Sequence, residues 1–70
     1  MYEAAIHAAA FNANLILNLV GNDGSATMAD IKRICTEKGY CDEDSIKIAI
    51  RQLVSADLIE RDGQTYRRTA

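Results

Sequence analysis

The sequence predicts a mainly α domain in which three helices are followed by a small antiparallel β-ribbon. Two observations carry that prediction. From residue 43 to about residue 56, Ile46, Ala49, Ile50 and Leu53 recur at the spacing of one helix face. At Leu58 the pattern switches to extended and alternating, and Asp62-Gly63 sits in its middle as a tight-turn pair, since both residues tolerate positive φ.

The first helix is expected over residues 2–20, where alanine and leucine favour it. Wound at helical pitch, Tyr2, Ile6, Ala9, Ala10, Ala13, Ile16, Leu17 and Val20 form one apolar stripe. Ala4, Ala8, Phe11, Leu15 and Leu19 form a second on the opposite side, with His7 and Asn12 on the polar flanks. A helix apolar on two sides must bury both. The second stripe is therefore expected to meet a symmetric partner helix, making a homodimer through Ala4, Ala8, Phe11, Leu15 and Leu19, unless the later helices wrap both sides.

Gly21 to Ser25 is a loop by composition, and Ala26-Thr27 is a candidate short strand pairing with the ribbon. Thr27 is also the expected N-cap of a second helix over residues 28–38, helped by Asp30, that buries Met28, Ile31, Ile34 and Cys35. Gly39 is expected to end it as a left-handed C′ residue. After the turn at Tyr40-Cys41, Asp42 caps the third helix, Glu43 and Asp44 complement its dipole, and Asp57 is expected in a left-handed conformation at its exit. Strands 58–61 and 64–68 complete the ribbon, with Tyr40 packed under the turn and Tyr66 under the ribbon. The whole makes one domain, residues 1–70: a first helix and dimerisation element (1–20), a helix-turn-helix (27–56) and a hairpin (57–69).

This order of elements, ending in LIERDGQTYRRT, resembles the winged helix-turn-helix regulators of transcription, and most the small MarR-like or ArsR-like members of bacteria, archaea or phage. The resemblance spans roughly residues 14–69 and implies that the third helix enters a major groove of duplex DNA while the hairpin, the wing, lies along the flanking backbone. Carried over by position, Ser45 and Lys47 hold phosphates, Arg51 and Gln52 read base edges, and Arg61, Arg67 and Arg68 act from the wing. Thr27 and Lys32 are further candidates for backbone contact. Ile48, also expected on the outward face, suits a thymine methyl or, equally, an anchor for a protein partner.

Composition pulls the other way. Eight basic residues face ten acidic ones, for a net charge of −2, whereas autonomous nucleic-acid binders are usually basic. Asp42, Glu43 and Asp44 cluster where a reading helix would first meet phosphate. The alternative is a winged-helix module, or a small phage-type inhibitor, that binds another protein. An enzyme is not expected: His7 is the sole histidine and no nucleophile–base motif accompanies it. No cofactor or metal is expected either. Cys35 and Cys41 lack the spacing and co-ligands of a zinc site and are read as reduced packing residues. The N-terminus lacks the features of a signal peptide or membrane span, so the expected location is cytoplasmic.

Overall fold

The computed structural model describes residues 2–69, with side chains from Ile6 onward. In chain order the elements are α1 (Tyr2–Asp23), β1 (Ser25–Thr27), α2 (Met28–Lys38), α3 (Glu43–Ser55), β2 (Ile59–Asp62) and β3 (Thr65–Arg68). The protein is thus mainly helical with one small antiparallel sheet, strand order β1-β3-β2. None of the described helices is long and apolar enough to cross a membrane.

Helix α1 runs a turn further than composition suggests. Gly21, Asn22 and Asp23 stay helical, and the chain leaves the helix only at Gly24, whose φ is +86°. Weak helix formers are carried along because Val20 just before them is fully buried, and packing outweighs propensity. The two apolar stripes are also not opposite faces. Ala8, Ala9, Asn12, Ile16 and Val20 are all buried, so the stripes are the two shoulders of one broad inner face centred on Asn12 and Ile16. Ile6 and Ala10, expected inside, are exposed, as are His7, Asn14 and Asn18 on the outer side.

Thr27 caps α2 as expected. Its hydroxyl accepts from the Asp30 N–H at 3.1 Å, and Asp30 accepts in return from the Thr27 N–H at 3.1 Å, a reciprocal capping box. The bond from the Thr27 N–H foremost, and then the Thr27 hydroxyl, hold the Asp30 carboxyl below its ordinary range. Ile31 and Cys35 are fully buried, and Met28 and Ile34 pack partly against the core. Gly39 does end α2, but not in a left-handed conformation: its φ is −132°. Glycine is needed there for another reason. A Cβ would lie 2.4 Å from Asn12 Oδ1 and 2.7 Å from Leu15 Cδ1, so α1 and the α2–α3 turn meet too closely for any side chain.

Asp42 caps α3, and Ile46, Ala49, Ile50 and Leu53 line its inner face. The exit is a Schellman motif. The Leu58 N–H bonds Leu53 O and the Asp57 N–H bonds Val54 O, both at 3.0 Å, with Asp57 left-handed at φ +58°. The hairpin turn lies one residue later than expected. Asp62 still pairs with Thr65, and Gly63-Gln64 form the two-residue loop. Gly63 (φ +64°) has positive φ and Gln64 does not, the pattern of a type II′ turn, which needs glycine first. The third strand is β1, with Ala26 opposite Tyr66, both buried.

Candidate functional site

On α3 the outward ridge consists of Asp44, Lys47, Arg51 and Ser55, all exposed, with Gln52 exposed on its flank. Two residues expected on that face are not fully presented there. Ser45 is 1% exposed, and its hydroxyl donates to the Asp42 carboxylate at 2.7 Å, so it serves the helix cap and cannot hold a phosphate. Ile48 packs against the core. It is half-buried, at the edge of the inner face formed by Ile46, Ala49, Ile50 and Leu53.

The acidic start of α3 divides by role. Asp42 accepts from both the Ser45 hydroxyl and the Ser45 N–H (3.1 Å), which hold its carboxyl below the usual range. Glu43 bonds Lys47 one turn on, Oε1 to Nζ 2.8 Å; that hydrogen bond lowers the Glu43 pKa and raises that of Lys47. Asp44 remains on the open ridge.

Three adjoining surface depressions surround Met28, the first residue of α2. One lies between α2 and α3 and is lined by Lys32, Thr36, Cys41, Glu43 and Lys47. The second lies between the start of α2 and the hairpin, beside Thr27, Arg61 and Gln64. The third lies between α3 and the hairpin, beside Lys47, Arg51, Ser55 and Arg61. Together they form a trough with Met28, Ile46, Ile50 and Tyr66 among its walls. Its charged lining is Lys32, Lys47, Arg51 and Arg61 against a single carboxylate, Glu43. The lining of these depressions is thus more basic than the chain as a whole, while Asp44 on the neighbouring ridge lies close enough to Lys47 to act on its charge.

Strand register decides which hairpin arginines share that face. Arg61 is opposite Tyr66, and cross-strand partners project to the same side of a sheet, here the side facing the helices. Its Nε donates to Gly63 O at 3.0 Å, which steadies the guanidinium beside the turn. Arg67 is opposite Glu60 on the other side of the sheet and is paired with Glu60 (3.0 Å) and Asp62 (3.7 Å). Arg68 lies at the far end of the hairpin against Gly21 of α1. Of the three wing arginines expected to act together, Arg61 alone lines the depressions beside Lys47 and Arg51.

The dimer stripe is largely consumed within the chain. Ala8 is 5% exposed, Leu19 packs on the core, and Leu15 is half-buried beside Gly39. Among the described residues of the stripe Phe11 alone is open, at 49%, and it meets Tyr40 edge to face with ring centroids 5.8 Å apart. The side chain of Ala4 lies outside the described residues. Tyr40 is half-exposed rather than packed beneath the turn, whereas Tyr66 is buried as expected. Cys35 is buried, which raises its thiol pKa, but Cys41 is exposed at the rim of the trough and is no packing residue.

Helical spacing alone puts one residue that matters to the site on a polar flank. Asn12 is instead fully buried and clasps the α2–α3 turn. Its Nδ2 donates to Tyr40 O at 2.8 Å and its Oδ1 accepts from the Tyr40 N–H at 2.9 Å. The amide satisfies both backbone groups of the residue that leads α2 into α3, and so fixes how α3 is presented. The signal was its position between two apolar stripes, where only a paired polar group is tolerated.

No protein family, curated protein or solved structure matches the chain.

Proposed function

We propose that this chain is a winged helix-turn-helix protein that binds duplex DNA and regulates transcription by occupying its site. The observation that carries the reading is the trough around Met28, where four basic side chains meet one carboxylate in a chain whose net charge is −2. The order of elements, with β1 added to the hairpin, supports the same reading. Arg51 on the α3 ridge reads base edges, and Gln52 on its flank is the second candidate reader. Lys32 from α2, Lys47 from α3 and Arg61 from the wing hold the backbone. Ser45, Ile48, Arg67 and Arg68 have no part in this interface. Among the described residues of α1, Ile6 (52%) and Phe11 (49%) are the large apolar side chains left exposed, so a homodimer through this helix would rest on them rather than on Ala8, Leu15 and Leu19.

The test is binding to the chain's own upstream DNA and to random duplex over a range of salt. Arg51→Ala is expected to lose about 1–3 kcal/mol on the cognate site and less on random duplex. Arg61→Ala should weaken both alike and flatten the slope of log K against log salt by about 0.9, one phosphate contact. Absence of salt-sensitive binding by the wild-type protein would remove the proposal.

A second reading, a winged-helix module that holds another protein, is favoured by the half-exposed Phe11–Tyr40 pair. The apolar anchor that first suggested it, Ile48, is half-buried against the core.

A further inference from the structure

Glu43 is the one carboxylate in the lining of the basic trough, and it has no capping duty, because Asp42 already caps α3. Its Oε1 lies 2.8 Å from Lys47 Nζ, and it shares the depression between α2 and α3 with Lys32. Both partners are exposed, with side-chain accessibilities of 65% for Lys47 and 71% for Glu43. A solvated i,i+4 pair of this kind is weak and readily exchanged. A phosphate entering the trough meets the same ammonium and must displace the carboxylate to use it. Arg51 and Arg61 have no ion pair among the described residues and face no such competition.

We propose that Glu43 competes with DNA phosphate for Lys47 and thereby sets the strength of the sequence-independent part of binding. The proposal rests on the DNA-binding reading above. It makes Glu43 a positioning residue acting through Lys47, whose ammonium counts fully toward DNA only when the carboxylate is removed.

The test is a double-mutant cycle on the full chain, read by fluorescence anisotropy with a fluorescein-labelled random-sequence duplex over a series of KCl concentrations. Glu43→Gln is expected to tighten binding roughly three- to ten-fold and to steepen the salt slope by up to about 0.9, the share of one phosphate contact that Glu43 withholds from Lys47. Lys47→Gln in the Glu43→Gln background should erase that gain. Far-UV circular dichroism of each variant verifies the fold, which Glu43→Gln preserves because glutamine forms helix about as well as glutamate. Unchanged affinity of Glu43→Gln overturns the proposal. A gain that survives in the Lys47→Gln background also overturns it, because Glu43 would then repel phosphate directly. Salt-sensitive wild-type binding with an inert Glu43→Gln sinks this proposal alone; no salt-sensitive wild-type binding sinks the DNA reading with it.

Discussion

Replacing Asn12 with alanine is expected to destabilise the domain by about 2–4 kcal/mol. The variant loses two hydrogen bonds, to Tyr40 O at 2.8 Å and from the Tyr40 N–H at 2.9 Å. Each is worth about 1 kcal/mol net, and stranding the partner group adds more where water is excluded. Tyr40 is 51% exposed, so water relieves part of that penalty and the lower end applies to these terms. Removing most of a fully buried side chain adds a cavity, roughly another 1 kcal/mol. A chain of 70 residues has a total stability of about 3.5–10 kcal/mol, so the change takes a large share of it. Urea unfolding followed by far-UV circular dichroism measures it, as a lower midpoint at unchanged m-value. Gly39→Ala supplies the second arm. Its Cβ would sit 2.4 Å from Asn12 Oδ1, an overpacking expected to cost about 1–3 kcal/mol. In the double variant the clash with Oδ1 is gone, so the combined loss should fall short of the sum. A loss under about 1 kcal/mol for Asn12→Ala, or strict additivity of the pair, would refute the clasp.

Two further outcomes are expected. The Asp42 carboxyl has a lower pKa folded than unfolded, because the Ser45 hydroxyl and N–H donate to it. Its contribution is therefore complete above the unfolded carboxylate range and disappears as pH falls through the folded value. Asp42→Asn should accordingly melt below wild type at neutral pH, with the gap closing in acid; a gap that widens in acid contradicts the assignment. Cys41 should react at once with a thiol reagent in the native protein, and Cys35 only on unfolding, so two fast equivalents would contradict the burial of Cys35.

Elements with strong local signals were legible in the sequence. The caps Thr27 and Asp42, the inner face of α3, the left-handed Asp57 and the short β1 all lie where local chemistry puts them. What local chemistry could not reveal was set by packing between distant segments. Gly39 looks like a helix terminator, yet it answers to Asn12 and Leu15, which lie on a different helix. Asn12 reads as a polar flank until Tyr40 is brought to it. Ile48 and Ser45 occupy plausible outward positions on a helical wheel, but a wheel does not say how far neighbouring elements wrap around it. The hairpin arginines depended on register. Moving the turn by one residue leaves Arg61 and Tyr66 on the same side of the sheet but shifts every cross-strand partner by two, which sets Arg67 opposite Glu60, and a dipeptide such as Asp-Gly does not fix that shift by itself. The basic lining of the trough is legible residue by residue, Lys32, Lys47, Arg51 and Arg61 alike, while its gathering around Met28 needs three dimensions.

The sheet is assembled around its final strand. β1 and β2 have no hydrogen-bonded contact with each other, and both depend on β3 between them. During synthesis, residues 25–27 must wait for a partner that emerges some forty positions later, so this sheet forms only once residues 65–68 have been made. A chain lacking residues 65–68 would leave β1 and β2 as two unpaired segments. Their amides should gain exchange protection in a single step as β3 arrives, rather than strand by strand.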